Sequence, residues 1–179
     1  MSSYQDPSTV PENAVDEGGL HALSGQLGLL LNDRGESLAV AESCTGGRIS
    51  TAITAHSGAS RYFKEGVCVY SNDAKSRYCG VTPEVLALHG AVSETVARQL
   101  ARGIRERSLA TWGLSATGIA GPSGGSPDKP VGTVHIALSS PSGEEHLQLS
   151  LVGSREQIMT STTHRVLALL LSKLTGPTP

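Results

Sequence analysis

The stretch Leu38-Ala39-Val40-Ala41-Glu42-Ser43-Cys44-Thr45-Gly46-Gly47 decides how the chain is read. Its first four residues are a short apolar run after a turn, the mark of a strand buried on both faces. Small polar residues and two glycines follow, and then a helical pattern with Ile49, Ala52, Ile53 and Ala55 on one side. The segment reads as strand, tight turn and helix. Ser43 sits at the mouth of that helix, where first-turn N–H groups lack partners. Such donors, here from Thr45, Gly46 and Gly47, hold an oxyanion or a phosphate, and Gly46-Gly47 lets a ligand approach the backbone. An ordinary helix cap explains the same residue types. The Gly-x-Ser-x-Gly elbow of the α/β-hydrolases does not fit, because Ala41 and Thr45 stand at its glycine positions.

Upstream, Leu20, Leu23, Leu27, Leu30 and Leu31 fall at helical spacing, which predicts a helix over 20–33. Residues 1–17 carry Ser, Pro, Asp, Glu and Asn without periodicity and read as a disordered leader, so that the domain spans 18–176. Downstream, Gly66-Val67-Cys68-Val69-Tyr70 reads as a second buried strand, and Ser71 to Lys75 opens a short helix that Gly80 ends. Thr82-Pro83-Glu84 and Ser93-Glu94 are helix starts. A strand near 111–115 runs into a Gly/Pro-rich loop over 117–132. Val134, Ile136 and Leu138, then Leu147, Leu149 and Leu151, alternate with other residues around Ser140-Pro141-Ser142-Gly143, which predicts an antiparallel hairpin. Ser154 with Gln157 opens the last helix as a capping box. Helices alternating with strands, plus one hairpin, give a three-layer α/β/α sandwich on a mixed, mostly parallel sheet.

Composition narrows the function. Fourteen basic against 16 acidic residues leave a net charge of -2, which argues against broad binding of nucleic acid. One Trp, one Phe and four Tyr are too few for a base-stacking surface. Three cysteines with no Cys-x-x-Cys pair suit thiols in a reducing compartment better than a disulfide framework or a zinc site, and the six His show no metal-binding spacing. No membrane span and no secretory signal is visible, so the expected location is cytoplasmic.

Three places carry chemistry. Ser43 is the first; Cys44 is a rival nucleophile but has no His nearby in sequence to act as its base. The second is Tyr70-Ser71-Asn72-Asp73-Ala74-Lys75 at the end of a buried strand. Carboxyl ends of parallel strands line the crevice of open α/β sheets, so Ser43, Tyr70 and Lys75 can share one cavity. A desolvated Lys loses its proton near neutrality and can serve as base toward a Ser hydroxyl; a solvated Lys on a short helix is the plain alternative. The third is the loop 117–132, where Thr117, Gly118, Gly121 and Gly124 expose backbone donors suited to phosphate or ribose and Lys129 adds a charge.

Taken in order, Ala41 to Gly47, Tyr70 to Lys75, His89-Gly90-Ala91-Val92-Ser93, Thr117-Gly118-Ile119-Ala120-Gly121-Pro122 and Lys129-Pro130-Val131-Gly132-Thr133-Val134 resemble the C-terminal domain of the CinA proteins. The resemblance covers about residues 20–175 and is closest to the stand-alone, PncC-like nicotinamide-nucleotide amidases, without a pyrophosphatase-like domain. It implies hydrolysis of the carboxamide of nicotinamide mononucleotide to nicotinic acid mononucleotide and ammonia. It also implies Ser43 as nucleophile, Lys75 as base, Tyr70 beside them, no metal or organic cofactor, and a homodimer. Asp73 stands where Glu is frequent in the family, and Ser115-Ala116-Thr117 precedes the glycine loop. Two other readings stay open at this point: a non-catalytic nucleotide-binding or competence-associated module, and an amidase for another small amide.

Overall fold

The computed structural model describes residues 17–176. The expected leader lies outside the described residues except for Glu17, which opens helix α1 (Glu17–Arg34). The chain then runs through β1 (Leu38–Glu42), α2 (Arg48–Thr54), a 3-10 turn (Ala59–Arg61), β2 (Phe63–Cys68), α3 (Asn72–Cys79), α4 (Pro83–His89) and α5 (Glu94–Ser108). It closes with β3 (Trp112–Gly118), β4 (Thr133–Ser140), β5 (Gly143–Ser150) and α6 (Arg155–Thr175).

The sheet has the order β2-β1-β3-β4-β5. β1 pairs parallel with both β2 and β3, and β4 pairs antiparallel with β3 and β5, so the sheet is mixed and four strands point the same way. Alternation assigns each side chain to a layer. Leu38 and Val40 of β1 join one core with Leu27, Ile49, Ile53 and Leu167, the layer of α1, α2 and α6. Ala39 and Ala41 join a second core with Val96, Leu100 and Ile104 of α5. The three-layer sandwich follows, with central strands β1 and β4 buried along their whole length. The edge strand β2 alternates and β5 stays partly open: Leu147 is exposed, while Leu149, two residues on and on the same face, is buried.

The strand expected at 66–70 is displaced toward the N-terminus. Its ladder starts at Phe63, paired with Leu38, and ends with Cys68 beside Glu42. Phe63-Lys64-Glu65 lacks an apolar run because this is an edge strand with every second residue open. The caps match the expected chemistry. Ser71 accepts from the Ala74 N–H and Gly80 closes α3 in the left-handed region; Ser154 and Gln157 form a reciprocal capping box on α6.

This topology places the site. After β1 the chain enters α2 on one face of the sheet, and after the neighbouring β2 it enters α3 to α5 on the other. The carboxyl ends of β1 and β2 therefore border a crevice where the connections diverge, the usual ligand position in open α/β sheets. Ser43 follows β1, and the segment from Val69 to Lys75 follows β2.

Candidate active site

Ser43 is anchored by its own N–H, which donates to Ala116 O at 2.9 Å and so extends the β1–β3 ladder by one residue. The turn closes with Gly46 N–H on Ser43 O at 3.2 Å. Gly46 and Gly47 have φ of 60° and 98°, a left-handed pair that a residue with Cβ adopts only under strain. The two glycines are thus required by the path of the chain into α2, a role distinct from ligand access.

Lys75 lies in the first turn of α3, and its side chain runs back under the end of β2. It is 1 % exposed. Its Nζ stands 3.1 Å from Ser43 Oγ, 2.8 Å from Val69 O and 3.3 Å from Tyr70 O. No carboxylate appears among these contacts. Burial pushes the Lys75 amine below its ordinary value of 10.5. The nearby thiols do not offset this with charge. Burial drives Cys44 up to about 12 and Cys79 up to about 11, so both stay neutral thiols. Cys44 is therefore packing, with no thiolate to act as a nucleophile.

The other expected residues divide. Tyr70 is 61 % exposed; its carbonyl holds Lys75, while its hydroxyl accepts from Arg155 Nη2 at 2.9 Å. Thr45 is fully buried and its hydroxyl donates to Glu42 Oε2 at 2.7 Å. The Gly46 and Gly47 N–H groups, expected as oxyanion donors, are engaged within the turn, by Ser43 O and by Glu42 Oε2 at 3.0 Å. Thr117 is buried and its hydroxyl donates to Ala91 O at 2.8 Å. Gly118 ends β3 inside the sheet, where a Cβ would lie 2.6 Å from Val134. Lys129 is tied to the chain: its Nζ donates to His89 O at 2.9 Å and Val92 O at 2.7 Å, stapling the loop 119–132 onto the α4–α5 connection. Gly121 and Gly124 lie in that loop, and the Gly121 carbonyl accepts from Arg155 Nη1 at 2.9 Å. A cavity of about 680 Å³ borders the far side of the turn, lined by Leu20, His21, Gly46, Gly47, Arg48 and Thr51, with neither Ser43 nor Lys75 in its wall.

Two participants escaped the sequence reading. Glu42 is wholly buried at the end of β1, and its carboxylate gathers the turn. Arg155, the first residue of α6, joins Tyr70 to the loop at Gly121. The acid directly before Ser43 was a signal for the first; nothing local marks Arg155, whose partners lie 34 and 85 residues away.

The comparisons identify the family and the fold that carry this site. A CinA-like protein of Anaeromyxobacter sp. (strain K) is 51 % identical over 137 residues, 76 % of this chain and 34 % of its own length. Another from Acaryochloris marina is 46 % identical over 165 residues, 87 % of this chain and 39 % of its own. The chain thus spans about a third of the length of the curated relatives it matches. Among solved structures, the competence/damage inducible protein CihA of Agrobacterium tumefaciens superposes with TM-score 0.86 at 37 % identity, covering 89 % of this chain and 98 % of that one. The competence damage-inducible protein A (ComA) of Klebsiella pneumoniae superposes with TM-score 0.85 at 32 % identity, covering 89 % and 99 %. Residues 20–174 match the family described as the CinA C-terminal domain, and with the motif order, the sheet topology and these relatives in accord, the chain belongs to that family.

Proposed function

We propose that this domain hydrolyses the carboxamide of nicotinamide mononucleotide, with Ser43 as nucleophile and Lys75 as its base. The observation that carries the reading is the contact between Lys75 Nζ and Ser43 Oγ in a buried setting with no carboxylate beside it among the described residues. A neutral amine has two N–H bonds and one lone pair. The carbonyls of Val69 and Tyr70 take the two N–H bonds, which leaves the lone pair for the Ser43 hydroxyl.

In this mechanism Lys75 takes the hydroxyl proton as Ser43 Oγ attacks the carboxamide carbon. No backbone carbonyl among the described residues takes the N–H of Cys44 or Thr45, and the amide following the nucleophile is a common oxyanion donor. The Lys75 ammonium then passes its proton to the departing nitrogen, the C–N bond breaks and ammonia leaves. Water attacks the resulting ester with neutral Lys75 again as base. The Ser43 oxygen leaves, recovers a proton from Lys75, and the product is the carboxylate. Lys75 serves both proton transfers to the leaving groups in this mechanism; the Tyr70 hydroxyl, which accepts from Arg155 and keeps its own O–H proton, is the alternative donor to the departing nitrogen. No step draws on a metal or organic cofactor. The loop 119–132, joined to Tyr70 through Arg155, holds the ribose phosphate in this reading.

Substrate identity is tested by comparing ammonia release from the mononucleotide and from free nicotinamide. A phosphate-reading site predicts at least about a hundredfold higher kcat/KM for the nucleotide. Equal rates on both would discard the nucleotide and leave a general small-amide hydrolase.

A further inference from the structure

Five hydrogen bonds converge on one carboxylate beside the nucleophile. Glu42 Oε2 accepts from the Thr45 hydroxyl at 2.7 Å, the Gly47 N–H at 3.0 Å and the Ile49 N–H at 3.1 Å. Oε1 accepts from the Ser50 N–H at 2.8 Å and the Ser50 hydroxyl at 2.7 Å. Glu42 has no exposed surface, and a buried carboxylate is tolerated only in such a shell of donors.

Capping alone does not call for this arrangement. The N-cap of α2 is Gly47, which has no side chain to offer. A Ser or Asp at that position would satisfy a first-turn N–H locally. The donors instead reach back to the last residue of β1. Its main chain is fixed in the sheet between β2 and β3, and its side chain is fixed to α2. The arch of Ser43 to Gly47 is thereby pinned at both ends to one residue, and Ser43 is the first residue of the arch.

We infer that Glu42 is a positioning residue: by clamping the turn between β1 and α2 it holds Ser43 Oγ within reach of Lys75 Nζ. The inference rests on the Ser43–Lys75 reading above. Glu42 touches neither the amine nor the hydroxyl in its hydrogen bonds, so it acts through the backbone alone.

Glu42→Gln keeps the shape but turns one acceptor into a donor that faces donors. The test measures three things on the purified variant: its melting transition, kcat and KM for ammonia release, and the rate at which a fluorophosphonate labels Ser43. That probe replaces fluoride with the serine oxygen, the proton going to Lys75, and it needs no nucleotide site. The expected result is a cooperative melt, KM within about twofold of wild type, and kcat and labelling both reduced about a hundredfold. Ser50→Ala removes one of the five bonds and is expected to fold normally and lose about threefold in both rates. A Glu42→Gln protein that melts earlier while its folded fraction keeps wild-type kcat and labelling would overturn the inference. So would wild-type labelling of Ser50→Ala, if Glu42→Gln does not fold. Should the wild type label at Ser43 and the Gln variant label slowly, while neither acts on the mononucleotide, the substrate reading fails and the positioning role stands. No labelling of the wild type removes both.

Discussion

The amine of Lys75 approaches the hydroxyl of Ser43 to 3.1 Å while the carbonyls of Val69 and Tyr70 occupy its other directions. The two residues are 32 apart in the chain and meet because β1 and β2 are parallel neighbours with connections on opposite faces of the sheet. Desolvation lowers the basicity of the amine, and with no carboxylate in contact with it among the described residues, proton loss is the cheaper response to burial.

Replacing the base is the first consequence. Lys75→Arg keeps a cation that does not deprotonate at neutral pH, and Lys75→Met keeps the length without the nitrogen. Both are expected to lose about a thousandfold or more in kcat, measured as ammonia release, with the mononucleotide still bound in calorimetry.

The pH dependence has a definite sign. The native amine titrates below its ordinary value of 10.5, so activity rises with pH through that lowered value and then levels. The unfolded chain binds the proton that the native state gives up. Stability contributed by this group therefore increases with pH in the window between the lowered native value and 10.5, and falls as pH drops through it. The slope due to Lys75 is read as the difference between the wild-type and Lys75→Met melting curves across that window, because the buried thiols of Cys44 and Cys79 add the opposite slope above their ordinary value of 9.0 in both proteins.

Arg155 ties the hydroxyl of Tyr70 to the carbonyl of Gly121 across the mouth of the crevice. Arg155→Ala frees the loop 119–132 on that side. The expected effect is a rise in KM of about tenfold, with a smaller change in kcat. An unchanged KM would detach the loop from substrate binding.

Helix α5 passes so close to the end of α3 that a Cβ on Gly103 would lie 2.0 Å from the Cys79 carbonyl. Gly103→Ala is expected to cost about 2–3 kcal/mol in denaturant unfolding. Lys75 sits one turn earlier on the same helix, so the folded fraction should also lose activity.

The parts of this account that were legible in the sequence are the local ones. Strand, turn and helix around Ser43, the short helix that opens at Ser71 and ends at Gly80, and the capping box at Ser154 are set by neighbouring residues, and all three appear as expected. Contacts set by tertiary packing were not legible. Lys129 looked available for a phosphate because it lies in a Gly/Pro-rich loop; the carbonyls that occupy it lie 37 and 40 residues away. Gly46 and Gly47 looked like open donors because the acceptor of the Gly47 N–H is a side chain five residues back. The start of β2 was missed because an edge strand needs no continuous apolar run.

The most direct measurement is ammonia release from nicotinamide mononucleotide by the wild-type domain and by Ser43→Ala. The account predicts turnover by the wild type and a loss of at least about a thousandfold in the variant, with binding of the nucleotide unchanged within about threefold. Near-wild-type turnover by Ser43→Ala would contradict it.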